Sequence, residues 1–151
     1  MYKKMLVPID GSEHSIHALG SAMESASKWD AEILIISVIP PISDFLYSGY
    51  GGYIAEFDEY EKHLKQIHLK ILQDAKNKVN EEHPEVNVSV KLAHGHVPSK
   101  ILNISEQEDV DLIIMGSRGL SGIKSWFLGS VSKHVVEHCK KSILIIKSPD
   151  V

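Results

Sequence analysis

Four glycines follow a buried-type apolar run in Leu112 to Ser132, LIIMGSRGLSGIKSWFLGSVS. Leu112, Ile113, Ile114 and Met115 have the make-up of a buried strand, and Gly116, Gly119, Gly122 and Gly129 then break it. Ser130-Val131-Ser132 opens a segment of helical periodicity, with Ser130 read as its cap. A strand, a glycine loop and a helix start suit a phosphate-bearing ligand. Glycine lets backbone turn sharply and come close, and the free N–H groups of a helix N-terminus attract an anion. A glycine after a buried strand also opens ordinary surface loops, so Gly116 alone carries little; the further glycines and Ser130 carry the reading. Two look-alikes fall away. Gly119-x2-Gly122-x-Lys124-Ser125 has the wrong glycine spacing for a P-loop, and Gly49-Tyr50-Gly51-Gly52 follows no strand.

Other chemistry is sparse. Arg118 and Lys124 are the basic groups of the glycine loop and would offset phosphate charge. Asp10 is the one carboxylate that the pattern places near it. No Ser-His-Asp order or paired acid dyad is evident, so the sequence names no catalytic residue and predicts at most slow hydrolysis of a bound nucleotide. The nine histidines invite a metal reading. His94-x-His96 lacks a partner at ligand spacing, and His134 and His138 enclose Glu137 at the wrong place for an HExxH helix. No metal ligand is assigned. Cys139 lies on the apolar spacing of a helix and reads as core.

The elements that would position these residues alternate. Met5-Leu6-Val7, ended by Pro8, is a short buried strand, and Asp10-Gly11-Ser12 supplies a turn and a cap. Ile16, Leu19, Met23 and Ala26 predict a helix over 13–28, and Glu32 to Ile39 a second strand. Pro40-Pro41 stops it. The stretch to Tyr53 reads as a long loop, whose Tyr47, Tyr50 and Tyr53 would form a lid, an interface or a plain exposed loop. Ile54, Phe57, Tyr60, Leu64, Ile67, Ile71, Ala75 and Val79 mark one long amphipathic helix. Val86, Val88, Val90 and Leu92 alternate with polar residues, as in a half-exposed edge strand. Pro98 starts a helix with Ile101 and Ile104 on one face, Leu112 to Met115 is the fourth strand, Val131, Val135 and Cys139 mark the last helix, and Ser142 to Lys147 is the fifth strand. The fold class is α/β: a single domain over 1–151, a doubly wound five-stranded parallel sheet with helices on both faces and strand order 3-2-1-4-5. Ligands in such sheets bind at the C-terminal strand ends beside the switch point. That puts Asp10 next to Gly116, with Val38 close by.

Composition is that of an ordinary globular chain, 43% hydrophobic and 24% charged over 151 residues. A net charge of −4 and the lack of a basic stripe argue against nucleic acid as partner. No apolar stretch nears the roughly 20 residues that a bilayer span needs, no signal peptide is evident, and one cysteine fits a reducing compartment. A cytoplasmic protein is expected. The fifth strand is apolar on both faces yet forms a sheet edge, which predicts a homodimer through Ser142 to Lys147.

Gly116-x2-Gly119-x9-Gly129-Ser130 resembles the Gly-x2-Gly-x9-Gly-Ser/Thr motif of the ATP-binding branch of the universal stress protein family. Lys4 to Asp10, a lysine, a strand and Pro-x-Asp, is similar too, as is the ending Ser142 to Lys147. The resemblance spans nearly the whole chain. It implies an adenine-nucleotide α-hydrolase-like fold and ATP, with a divalent ion such as magnesium, as ligand. Gly116, Arg118 and Gly119 would then lie along the phosphates, and Gly129, Ser130, Val131 and Ser132 would close on them at the helix start. Asp10 would hold the ribose or, through water, the ion, and Val38 would meet the adenine through its backbone, with Pro8, Ile9 and Met115 packed nearby. The family also implies dimerisation through the last strand. The function expected is an ATP-binding regulatory, stress-response dimer. The alternatives are a slow ATPase or a phosphoryl or nucleotidyl transferase, and a nucleotide-free interaction module.

Overall fold

A computed structural model describes residues 1–41, 54–118 and 128–148, apart from the side chains of 54–56. The elements run β1 (Lys4–Pro8), α1 (Glu13–Trp29), β2 (Glu32–Ile39), α2 (Ile54–Glu82), β3 (Val88–His94), α3 (Val97–Gln107), β4 (Leu112–Gly116), α4 (Ser130–His138) and β5 (Ser142–Ile146). The strands form one sheet in the expected order β3-β2-β1-β4-β5, and every neighbouring pair is parallel.

Apolar runs without alternation produce this sheet, because its inner strands are covered on both faces. Odd positions of β1 and β2, Met5, Val7, Ile33 and Ile35, join Leu19, Met23, Leu72, Ala75 and Val79 in a core under α1 and α2. Even positions, Leu6, Leu34, Ile36 and Val38, join Ile101, Ile104 and Val135 under α3 and α4. The period of two thus sends successive residues of one strand into different cores. Ser12 caps α1 by accepting the Ser15 N–H at 3.2 Å. Asp30 ends that helix in a left-handed turn, φ 53°, which Asp tolerates better than most side chains.

Three expectations need correction. The edge strand begins at Val88 rather than Val86. Val86 is buried in the turn before it, its N–H donating to His83 C=O, while Val90 is 36% exposed. In α2 the buried residues include Leu72, and Ile67 lies 41% exposed. Ile71 packs against the core and Ala75 and Val79 are buried in it as read, so the misplaced residue is Ile67 and the missed one Leu72; both choices satisfy a spacing of three or four. Finally Gly129, not Ser130, is the N-cap of α4; Ser130 is its exposed first residue, and Cys139 lies just past its end, half-buried. Tyr47, Tyr50 and Tyr53 fall outside the described residues.

The N-terminal edge of the sheet is held by charge. Lys4 Nζ lies 3.5 Å from Glu32 and 3.4 Å from Glu108, which also accepts from Lys91 at 2.9 Å. Asp111 Oδ2 accepts the N–H groups of Lys3 and Lys4 at 2.8 and 2.9 Å, stitching the start of β4 to the start of β1. Those two backbone donors hold its carboxyl below the usual carboxylate range. A depressed folded pKa adds stability that is complete above the unfolded value near 4 and fades as pH falls through the folded one. Asp111→Ala should cost about 1 kcal/mol at pH 7. In urea unfolding the gap between variant and parent should shrink as pH drops from about 5 to about 2.5.

Candidate functional site

The strands flanking β1 are β2, reached through α1, and β4, reached only after β3 and α3. The connections leaving β1 and β4 diverge at this point, and a crevice opens at their C-terminal ends. Each wall of it follows from local chemistry.

On the β1 side, Asp10 Oδ1 accepts the Ser12 N–H at 2.9 Å. That tight turn forces Gly11 to φ 83°, a left-handed conformation that glycine adopts without strain. The carboxylate of Asp10 is half-buried at the strand end. On the β4 side, a Cβ at Gly116 would stand 2.9 Å from the backbone C and O of His14. Only glycine lets the end of β4 pass the start of α1 this closely.

The return of the chain into α4 is fixed by one carbonyl. Ser117 C=O accepts the Gly129 N–H at 2.8 Å and the Ser132 hydroxyl at 3.0 Å. Ser117 N–H in turn donates to Ile146 C=O at 3.0 Å, anchoring that residue to β5. The N-terminus of α4, with its unpaired-end N–H groups and partial positive charge, is thereby set beside the end of β4. A Cβ at Gly129 would lie 3.4 Å from Arg118 Cα and from Ser117 O, so the approach is close here too.

The β2 side supplies backbone. Ile9 N–H donates to Ile36 C=O at 2.8 Å, the last rung of the β1–β2 ladder. In a parallel pair N–H and C=O of one residue face the same neighbour, so Val38, two residues on, directs both toward the β1 side beyond that rung. A donor and an acceptor on one edge are what a heteroaromatic base reads.

The structure thus brings Pro8, Ile9, Asp10, Val38, Met115, Gly116, Arg118, Gly129, Ser130, Val131 and Ser132 to the C-terminal ends of β1, β2 and β4 or to the start of α4. Ile9 and Met115 are buried there at 4% and 5% exposure. Ser132 is buried and its hydroxyl serves Ser117 and Gly129, so it shapes the crevice from behind. Gly119, Gly122 and Lys124 lie outside the described residues.

Two residues at this edge escaped the sequence reading. Ser37, 1% exposed, donates its hydroxyl to Ile9 C=O at 2.9 Å and lies 2.7 Å from His68 Nδ1. Burial pushes the His68 imidazole below its ordinary pKa; the Asp10 carboxylate pulls it partly back, and His94 pushes it down. The available signal was His68 itself, standing between Leu64 and Leu72 on an otherwise apolar stripe. Three other histidines meet through their rings: His134 stacks on His138 at 4.3 Å and meets His96 edge-on at 5.7 Å, ring centre to ring centre. Among the described residues no three His, Cys, Asp or Glu side chains are grouped to hold a metal ion.

Fold and crevice define a doubly wound α/β protein with a helix N-terminus and strand-end backbone gathered at its switch point. Residues 1–147 match the universal stress protein family, and the chain belongs to it. It is 38% identical over 150 residues to universal stress protein YxiE of Bacillus subtilis, covering 97% of this chain and 100% of that one. Universal stress protein MJ0577 of Methanocaldococcus jannaschii is 34% identical over 158 residues, covering 97% of this chain and 96% of the relative. The solved structure of MJ0577 superposes with a TM-score of 0.71 at 29% identity over 100% of this chain and 99% of that one. The Archaeoglobus fulgidus universal stress protein in complex with dAMP has the same fold, with a TM-score of 0.65 at 19% identity over 97% and 98% of the two chains.

Ser132→Ala removes a buried hydroxyl bond and leaves Ser117 C=O one donor short. It should cost about 1–2 kcal/mol in urea unfolding. Gly116→Ala, which must push α1 away, should cost about 1–3 kcal/mol, and a double variant should show non-additivity through the shared end of β4.

Proposed function

We propose that this protein binds ATP in the crevice between β1 and β4 and acts as a regulatory dimer of the ATP-binding branch, in the stress response. The observation that carries the reading is the Ser117 carbonyl clamp, because it holds a helix N-terminus at the end of β4, next to Gly116. The triphosphate lies along Gly116, Arg118 and Gly119 and against the N–H groups at Gly129, Ser130 and Val131. The ribose meets Asp10, and the adenine meets the backbone of Val38. The dAMP bound by the Archaeoglobus fulgidus relative supports an adenine nucleotide as ligand.

Magnesium fits this arrangement in one manner. One Asp10 oxygen is engaged with Ser12 N–H, and among the described residues Asp10 belongs to no group of three or more metal-ligating side chains. The ion would take most of its ligands from phosphate oxygens and water, with Asp10 at the margin, as is usual for this hard, reluctantly dehydrated cation. It would offset phosphate charge. In this reading the nucleotide sets a conformation, and hydrolysis is slow.

Nucleotide released from freshly purified protein should be adenine nucleotide by chromatography, and the stripped protein should bind ATP with magnesium in calorimetry. Gly129→Val, which fills the close approach to Arg118 and Ser117, should weaken binding at least tenfold while the protein still folds. No released nucleotide and no heat of binding would assign the chain to the interaction modules instead. Multiple turnover well above background, lost in Asp10→Ala, would make it an enzyme.

The dimer forms through β5. Leu144 is 39% exposed and Ile143, Ile145 and Ile146 only half-buried on this terminal strand. A second copy covers them and pairs the open strand edge. Sedimentation at micromolar concentration should give a dimer for the parent and a monomer for Leu144→Asp. A monomeric parent would sink the dimer. The single cysteine accords with the reducing cytoplasm as its compartment.

A further inference from the structure

The Ser37–His68 pair interrupts two apolar patterns at the same place. Ser37 stands in Ile35-Ile36-Ser37-Val38-Ile39, and His68 occupies a half-buried position of α2, one turn before the buried Leu72. A buried polar pair is retained in such a position only when its hydrogen bonds are met. Here they are met in a way that fixes the chemistry of the ring. Ile9 C=O can only accept, so it takes the single hydroxyl hydrogen of Ser37 at 2.9 Å. Ser37 Oγ must then accept from His68 across 2.7 Å, which places the imidazole hydrogen on Nδ1. Nε2 is left with its lone pair. Burial keeps the ring neutral and so keeps that lone pair available.

The location is as specific as the tautomer. Ser37 immediately precedes Val38, and Ile9, its other partner, immediately precedes Asp10. His68 is only half-buried, so one side of the ring remains accessible. Asp10 from the end of β1 and His94 from the end of β3 both act on it electrostatically.

We infer that His68 is a specificity-determining residue of the crevice, its Nε2 accepting a hydrogen bond from the exocyclic amino group of a 6-aminopurine base. The inference rests on the ATP reading above and deepens it. An adenine amino group has two hydrogens; Val38 C=O takes one, and His68 takes the other. A 6-oxopurine presents an acceptor at that position, which would face a second lone pair and leave a polar group unmet. Ser37 contributes as a positioning residue, since it sets the tautomer without touching the base.

The test compares ATP with inosine triphosphate, which differs only where amino is replaced by oxo and the ring N1 carries a hydrogen. Calorimetry on the parent at pH 7.5 should show ATP preferred by at least tenfold. His68→Ala should reduce that preference about tenfold by weakening ATP while leaving the affinity for inosine triphosphate within twofold. A structural role alone would lower stability and leave the ratio unmoved. A ratio unchanged in folded His68→Ala overturns the inference while leaving ATP binding intact. No binding of ATP by the parent overturns the functional reading itself. A second measurement needs no variant: nitrogen-15 spectra of the parent should show His68 as the Nδ1–H tautomer, with its Nε2 resonance displaced on saturation by ATP. An Nε2–H tautomer, or an Nε2 signal unmoved by ATP, also overturns it.

Discussion

The crevice depends on the carbonyl of Ser117. A carbonyl oxygen has two lone pairs, and this one uses both, for Gly129 N–H and for the Ser132 hydroxyl. Those bonds tie the first turn of α4 to the residue that follows β4. The Asp10 turn belongs to β1 and the backbone of Val38 to β2, while the bare backbone of Gly116 admits the start of α1 and Ser37 reaches His68 of α2. The Ser117 clamp ties a further element, α4, to the end of β4 by two hydrogen bonds. It is itself backed by Ile146 C=O, so the geometry is transmitted to β5, the strand on which the proposed dimer is built.

The two edges of the sheet are built from different interactions. At the N-terminal edge, full charges meet: Lys4 with Glu32 and Glu108, Lys91 with Glu108, Asp111 with two backbone N–H groups. Lys91 and then Lys4 hold Glu108 below the ordinary carboxylate range. At the C-terminal edge the groups are mostly backbone dipoles, hydroxyls and a neutral imidazole. Such groups are partly satisfied by the protein and keep capacity for a ligand. Charge pairs spend that capacity on stability, so the stapled edge and the edge proposed to bind are different ones.

Much of this was legible. Continuous runs such as Met5-Leu6-Val7 and Ile33-Leu34-Ile35-Ile36 announce strands covered on both faces, and helical spacing between them dictates parallel crossovers; the half-polar third strand and the right-handed rule then leave little freedom in strand order. The glycine spacing pointed to the crevice end of β4, because glycine is required where backbones approach, as at Gly116 against His14. The hidden parts were those set by pairing between distant residues. Ser132 was recognisable as a helix residue but not as a donor to Ser117, and Ser130 looked the better cap by type alone. Ser37 and His68 stand 31 positions apart, and nothing in a period of two or of 3.6 links them. The exposure of Ile67 and the burial of Leu72 have the same origin: both fit the spacing, and the sheet beneath decides which is covered.

Helix α2 has 29 residues, about 43 Å at 1.5 Å each, while β2 below it has eight. Among its described residues, the fully buried ones, Leu72, Ala75 and Val79, all lie on the C-terminal side of His68. Fourteen residues, about 21 Å, precede His68, and only two strand residues follow its partner Ser37. A helix this long belongs to both ends of the sheet: its buried residues close the core behind His68, and its first half stands on the crevice side.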